Sequence, residues 1–175
     1  MTPRYKSSVR LIGLFAAALA TLAGLASTLG SCALATPFSG PGRSSDGDRV
    51  FVAVTNAVLH PDKRRAFDDH TRRVIESLPS HEGYLGHSVR GRVLGNEVWT
   101  MTMWRDEESL DAFIESPVHR TAIREGLSGV RTAKFLRFEW SDETPPGWAE
   151  ILRRLEGVEP IDYSARSRPR TGESS

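Results

Sequence analysis

The sequence predicts an α+β domain in which an antiparallel sheet carries two helices on one face. Three observations support this fold class: a run of β-branched residues from residue 50 (VFVAVTNAVL), a Gly-Asn pair at 95–96 between two strand-like runs, and alternating apolar residues at 131–140 (RTAKFLRFEW). Between these strands, apolar residues recur at helical spacing. The order over residues 49–140 is therefore β-α-β-β-α-β, the ferredoxin-like arrangement.

The chain begins with a predicted targeting segment over residues 1–35. Basic residues precede an uncharged, mostly apolar run of 19 residues from Leu11 to Leu29. The sequence Leu29-Gly30-Ser31-Cys32 resembles the bacterial lipobox, and this resemblance implies cleavage and lipidation of Cys32. Two alternatives stay open: cleavage after Ala35 by an ordinary signal peptidase, or an uncleaved single membrane span. Each alternative places the domain outside the cytoplasm, most simply as a lipoprotein of the cell envelope.

Charge and cysteine content exclude several classes of partner and site. The chain has 23 basic and 22 acidic residues, and three of the basic ones precede the apolar run. Residues 32–175 therefore hold 20 basic and 22 acidic residues, a net charge of −2, which argues against nucleic acid as a partner. Cys32 is the single cysteine, so an internal disulfide is excluded, and no metal-ligand spacing is recognisable.

The segments that flank the predicted domain differ from it in composition. Residues 36–48 are rich in Pro, Gly and Ser and are predicted to be a flexible linker, because they offer little apolar surface. Residues 141–163 form a predicted C-terminal extension with a short amphipathic helix, AEILRRLEGV, whose apolar side chains can dock on the domain. Residues 164–175 are polar and are predicted to be disordered.

The two helices of the domain have recognisable start signals. Pro61 suits the first turn of helix 1, and apolar residues then recur at helical spacing down to Pro79. Asp106 is the predicted N-cap of helix 2, with two glutamates in its first turn. Ser116-Pro117 breaks this helix and starts a second piece, which runs towards Gly126.

The central hairpin determines which residues share a sheet face. A two-residue Gly95-Asn96 loop pairs His87 with Trp104 and Val89 with Thr102. Both faces of the second hairpin strand are largely apolar, whereas two helices cover only one face of a four-stranded sheet. We therefore expect a homodimer in which a second copy covers the other face.

Several of these segments together resemble the antibiotic biosynthesis monooxygenase (ABM) superfamily. They are the first strand, GYLGHSV, VWTMTMWRDEESLDAF and SPVHRTA, and the resemblance covers residues 49–140. It implies a dimeric α+β barrel with a pocket between each sheet and its helices. Known activities of the superfamily include cofactor-independent oxygenation of polycyclic aromatic substrates and oxidative degradation of haem.

The resemblance disfavours haem as a cofactor. The haem-degrading branch carries an Asn on its first strand, and a Trp and an iron-ligating His on its second helix. Asn56 matches the Asn, but Phe113 and Ile123 occupy the positions of the Trp and the His. His119 lies about one helical turn from Ile123 and would need a displaced ligand to replace it. We therefore expect no cofactor.

Six residues are candidates for the functional site. Asn56, His87 and Trp104 are candidate catalytic residues, because a polar strand residue and a His–Trp pair can orient an aromatic substrate. The candidate ligand-binding residues lie on helix 2 and are Phe113, His119 and Arg120. Each polar candidate also has a plainer interpretation, as a strand-end residue, a satisfied core histidine or a solvated helix face.

Two functions compete at this point. The domain is either a non-catalytic envelope protein that binds a small aromatic ligand or a partner subunit, or a cofactor-independent monooxygenase whose aromatic substrate supplies its own electrons. The absence of a strong catalytic motif does not separate them, because such an oxygenase needs few catalytic groups. Fold alone does not imply function, and the location outside the cytoplasm favours ligand binding.

Overall fold

The computed structural model describes residues 32–42 and 49–164. A single antiparallel sheet has the strand order β1-β3-β4-β2-β5-β6. Its strands are β1 (Ala33–Ala35), β2 (Val50–Leu59), β3 (Tyr84–Arg92), β4 (Glu97–Trp104), β5 (Val130–Trp140) and β6 (Ile161–Asp162). The helices are α1 (Arg64–Ser77), α2 (Glu107–Ile114), α3 (Pro117–Gly126) and α4 (Trp148–Glu156). The elements from β2 to β5 follow the predicted β-α-β-β-α-β order, which confirms the fold class.

Helices α1, α2 and α3 cover one face of the sheet. Leu78, just after α1, packs with Leu110 and Phe113 of α2 and with Trp104 of β4 in one buried cluster. The Asp106 side chain accepts a hydrogen bond of 2.7 Å from the Ser109 N–H, as expected for an N-cap. The second helix is divided as predicted, because Ser116 caps α3 in the same way.

Helix α4 covers the opposite face of the sheet. Ile151 and Leu155 of α4 are almost completely buried against alternate side chains of β2 and β4, which are Val50, Val52, Val54, Trp99, Met101 and Met103. Phe38 packs on the same cluster from the N-terminal side. The face for which a second copy was expected is thus covered within one chain. The argument for a homodimer through this face therefore fails, and the homodimer itself stays a prediction.

The N-terminal segment lies along the edge of β3. Ala33–Ala35 pair with β3 as β1, and Ser39 exchanges two backbone hydrogen bonds, of 2.8 and 2.9 Å, with His87. The Gly42 N–H donates to the Leu85 carbonyl oxygen at 2.9 Å. The linker prediction is therefore wrong for residues 36–42. The prediction was based on composition, but backbone hydrogen bonds to the edge of β3 order this segment, whatever its side chains are.

The β3–β4 hairpin has a longer loop than predicted. Residues 93–96 form the loop, and the ion pair between Arg92 and Glu97, 2.8 Å long, closes it. His87 consequently pairs with Thr102, so its predicted pairing with Trp104 is wrong. Pairings in β3 from Gly86 onward are shifted by two residues, so these side chains keep the faces predicted for them.

Parts of the chain lie outside the described residues. They include residues 1–31 of the predicted targeting segment, residues 43–48 of the predicted linker and residues 165–175 of the predicted tail. Within residues 32–42 and 49–164, no helix combines the length and the apolar character that a membrane span requires.

The substitution Ile151→Ala tests how much α4 contributes to stability. Ile151 has no exposed surface, so its truncation leaves a void between α4 and the sheet. We expect the free energy of unfolding to fall by roughly 2–5 kcal/mol. The matched control is Ile161→Ala on β6, where the side chain is 50% exposed and the expected loss is below about 0.5 kcal/mol. Urea unfolding compares them, and equal losses would contradict the packing of α4 on the sheet.

Candidate functional site

A cavity of about 430 Å³ lies between the sheet and helices α1–α3. This volume is typical of sites for small molecules. The sheet side of the cavity is formed by small side chains, among them Ala53, Thr55, Ala57 and Thr100. The opposite face of the same strands carries Trp99, Met101 and Met103, which fill the space under α4. The cavity exists on the helix side because the sheet residues there are too small to fill the gap.

The wall of the cavity is mostly apolar and has almost no fixed charge. Phe67, Val74 and Ile75 of α1 form part of it, and Ile123 and Phe135 lie where it meets solvent, since each is about half exposed. Among the described residues of the lining, only Arg137 belongs to the permanently charged types, and its guanidinium pairs with Asp111 at 2.8 Å. The other polar groups that line the cavity are hydroxyls and imidazoles: Thr55, Thr71, Ser88, Thr100, Thr102, Tyr163, His70, His87 and His119.

His87 lines the cavity and is held by a tyrosine from its own strand. The Tyr84 hydroxyl and His87 Nδ1 are 2.5 Å apart, and the same hydroxyl lies 3.1 Å from the Ser39 carbonyl oxygen. Residues three apart on a regular strand point to opposite faces. Here a β-bulge between Tyr84 and Gly86 places both side chains on one face. Gly86 has a φ of +156°, and a side chain there would collide with the Phe38 ring.

The two contacts of the Tyr84 hydroxyl determine the tautomer of His87. The Ser39 carbonyl oxygen only accepts, so the tyrosine proton must point towards it. Both hydrogen bonds then form only when His87 Nδ1 carries the ring proton and donates it to the tyrosine oxygen. This tautomer leaves a lone pair on Nε2. Burial lowers the pKa of His87 below its ordinary 6.5 and raises the pKa of Tyr84 above its ordinary 10.0, so both groups are neutral at pH 7.

His119 is a second neutral imidazole in the cavity wall. Its Nδ1 donates to the Ile114 carbonyl oxygen at 3.0 Å, which again leaves the lone pair on Nε2. Burial, as the largest effect, lowers the pKa of His119, although the Ile114 carbonyl and Glu115 act in the opposite direction. The ring of Phe113 lies 4.7 Å from that of His119 and also lines the cavity. Two of the three ligand-binding candidates, Phe113 and His119, are therefore located at the cavity.

Trp104 supports the cavity without lining it. The residue is fully buried, and its ring stacks on Phe113 with a centroid distance of 4.9 Å. Its indole N–H donates to the Thr102 hydroxyl at 2.9 Å, so the Thr102 proton is left to donate to a ligand. Trp104 does not line the cavity, so we reassign it from a catalytic candidate to a positioning residue. It contacts two residues of the wall, Phe113 and Thr102.

Two other candidates lie away from the cavity. Asn56 points to the face under α4, where its amide N–H donates to the Glu97 carboxylate at 3.2 Å and to the Val98 carbonyl oxygen at 3.3 Å. The side chain of Arg120 is 68% exposed and lies 3.6 Å from the Glu115 carboxylate. Neither residue lines the cavity. Position along β2 explains why Asn56 lies away from the cavity, since its side chain shares the face of Val52 and Val54 that packs under α4.

The arrangement does not match the residues of the haem-degrading branch. Asn56 faces away from the cavity, while Phe113 and Ile123 line it and supply no ligand atom. Within the part of the chain that the structure describes, no three His, Cys, Asp or Glu residues are grouped to hold a metal ion.

Several residues of the cavity were missed by sequence reasoning. Tyr84 and Ser39 determine the tautomer of His87, yet their contact depends on a bulge and on a segment predicted to be a linker. Tyr163 lines the cavity from the C-terminal extension, where its N–H donates to the Arg131 carbonyl oxygen at 2.8 Å. An aromatic residue in an otherwise polar stretch was the only signal for Tyr163.

Comparison with known proteins supports the fold of the domain. Residues 50–125 match the family model described as antibiotic biosynthesis monooxygenase. No curated protein matches the sequence. Among solved structures, a candidate monooxygenase from Lactobacillus acidophilus NCFM is 12% identical with a TM-score of 0.50, and the match covers 71% of this chain. The chain spans 54%, or about half, of the length of that protein.

Two further solved structures have the same fold. A Mycobacterium tuberculosis protein is 16% identical with a TM-score of 0.51, and the match covers 55% of this chain and 99% of that one. A candidate monooxygenase from Fusobacterium nucleatum is 15% identical with a TM-score of 0.52, and the match covers 63% of this chain and 50% of that one. At these identities the likeness concerns the fold alone. Residues 50–125 of this chain are therefore similar in sequence to the antibiotic biosynthesis monooxygenase family, and the chain shares the fold of these solved structures.

Proposed function

We propose that this domain binds a small, uncharged aromatic molecule that carries a hydroxyl group, in the cavity between the sheet and helices α1–α3. The observation that supports this most directly is the lining, which is mostly apolar and carries hydroxyl and imidazole side chains, while its Arg137 guanidinium is already paired with Asp111. An aromatic ring gains from the burial of its apolar surface, and a hydroxyl on that ring can donate to the Nε2 atom of His87 or His119. A charged ligand would lose its hydration without a counter-charge in the wall.

The fixed position of Phe113 in the cavity wall also favours an aromatic ligand. Phe113 presents an aromatic ring to the cavity and is itself stacked on Trp104, so its position is held by packing on both sides. Ring-to-ring contact with such a fixed aromatic side chain adds to the simple burial of area. Thr102 contributes a hydroxyl that accepts from the Trp104 indole, and its own proton can be donated to an oxygen on the ligand.

Cofactor-independent oxygenation is a second candidate function, favoured by the tautomer of His87. A neutral imidazole with its lone pair on Nε2 can accept the proton of an aromatic hydroxyl. The resulting phenolate gives one electron to dioxygen, the aryloxyl radical and superoxide combine through a new C–O bond, and the protonated peroxide loses water to leave a quinone. Tyr84 and Ser39 would hold the imidazole in that role. Dioxygen uptake in the presence of 1-naphthol distinguishes this activity from binding alone. We propose neither a cofactor nor haem for either function.

We also propose that the domain is held at a membrane through its N-terminal segment. Ala33–Ala35 form β1 and pair with β3, so cleavage after Ala35 would remove a strand of the sheet. Processing before Cys32, or retention of the uncharged run as a span, preserves that strand. This supports the lipobox interpretation over free secretion.

The substitution Ala122→Phe tests the cavity as the binding site. Ala122 lies on α3 and lines the cavity, so a phenyl group there occupies the space of a ligand. We expect the dissociation constant for 1-naphthol, measured by equilibrium dialysis, to rise at least tenfold, or about 1.4 kcal/mol. The control Ala66→Phe places the same group on the exposed side of α1 and should change the constant less than about twofold. Equal effects, or no effect of either, would argue against this site.

The pH dependence of binding tests the two imidazoles. Burial lowers the pKa of His87 and of His119 below 6.5, so both keep their lone pairs above that pH and lose them as the pH falls below it. Affinity for 1-naphthol should therefore be constant between pH 7.5 and 6.5 and should weaken towards pH 5. The double variant His87→Gln/His119→Gln should lose this dependence. Binding that strengthens at low pH would contradict the proposed acceptors.

The Cys32→Ala variant tests the anchor. Without the thiol, lipid labelling of the chain in a bacterial host should be abolished, because diacylglycerol transfer requires the sulfur atom. A Ser31→Ala variant keeps a small residue before the cysteine and serves as the control that retains labelling. Persistence of labelling in Cys32→Ala would contradict lipidation at this position.

A further inference from the structure

Large apolar side chains that are exposed in the described residues fall into three groups. Ile123 and Phe135 lie at the cavity, and Ile161 lies on β6 at one end of the sheet. The other three are Leu34, Val93 and Leu94, exposed to 72%, 54% and 62%. They belong to β1 and to the loop of the β3–β4 hairpin, and we call these three side chains the apolar tip.

The apolar tip adjoins Cys32. The Val93 N–H donates to the Cys32 carbonyl oxygen at 3.0 Å, which joins the hairpin loop to the residue before β1. Leu34 pairs opposite Gly91 at the sheet edge and lines the same cleft as Val93. The loop is also held from α1, since the Arg64 guanidinium donates to the Gly95 carbonyl oxygen at 2.9 Å. The tip therefore has a defined place beside the N-terminal attachment point.

The length of the preceding chain restricts where the tip can lie. The uncharged run ends at Leu29, and an extended chain spans at most about 3.6 Å per residue, so β1 starts within roughly 14 Å of that run. A lipid on Cys32 would bring the membrane closer still. The polar layer on each side of a bilayer is only roughly 5–8 Å thick. Either form of anchor thus brings the tip within reach of the boundary between headgroups and acyl chains.

We propose that the apolar tip inserts into the membrane interface and orients the domain with the β1 edge of its sheet against the bilayer. This inference rests on the proposed membrane anchoring. Three exposed apolar side chains next to an anchor gain from transfer to the interface, as in proteins that lie on a membrane surface. Five inter-strand spacings separate β1 from β6, so Ile161 lies roughly 24 Å from Leu34 across the sheet, and at least three spacings, or roughly 14 Å, from the β3–β4 loop. The tip and Ile161 therefore have different environments in the bound protein.

Photo-crosslinking of the full chain tests this orientation. Benzoylphenylalanine is placed at position 94 or, as the matched control on an exposed apolar residue, at position 161. Each protein is reconstituted into vesicles of phosphatidylethanolamine and phosphatidylglycerol, and flotation in a density gradient reports anchoring independently of the crosslink. Mass spectrometry of the irradiated protein then counts lipid adducts. We expect at least tenfold more lipid adduct from position 94 than from position 161.

The other outcomes separate the tip from the anchor. Protein that floats with the vesicles but yields equal lipid adducts from both positions overturns the orientation and leaves the anchor intact. Crosslinks from position 94 to a second copy of the chain also overturn it, because the tip would then be an interface between copies. Protein that does not float at all overturns both the anchor and the tip.

Discussion

The structure depends on the requirement that a sheet with two apolar faces be covered on both. Most residues of β2 and β4 are apolar on each face, and an exposed sheet of this kind is an aggregation hazard. The chain meets the requirement by itself. Helices α1–α3 cover one face and α4, with Phe38, covers the other. The C-terminal extension is thus part of the fold and not an appendage, although residues 50–125 alone match the family model.

Helix α4 packs more closely on its face of the sheet than helices α1–α3 pack on theirs. This difference in packing produces the site. Under α4, large side chains such as Trp99 and Met101 fill the interface with Ile151. On the helix side, Ala53 and Thr55 leave a cavity of about 430 Å³ that the longer side chains of α1 only border. A void of this size costs stability, because its walls lose packing contacts. Its retention beside two neutral imidazoles is the physical argument for a ligand.

The edge of the sheet controls the chemistry of that cavity. The N-terminal segment satisfies the edge of β3 with backbone hydrogen bonds, and in doing so it brings the Ser39 carbonyl oxygen to the Tyr84 hydroxyl. The bulge before Gly86 turns Tyr84 towards His87. Cys32, the sheet edge and the tautomer of His87 are therefore linked through one short stretch of chain.

Local patterns in the sequence determined the order and bounds of the elements. The β-branched run from Val50, the Asp106 cap and the break at Ser116-Pro117 act over a few residues, so they were readable without the fold. The faces predicted for the side chains of the hairpin were correct although the predicted register was wrong. The register error was two residues, and side chains alternate between faces with a period of two. Tertiary structure alone decided the pairing of residues 33–42 with β3, the burial of Asn56 under α4 and the Ser39–Tyr84–His87 contact. These features join segments that are distant along the chain, and such contacts depend on packing and edge pairing rather than on local composition.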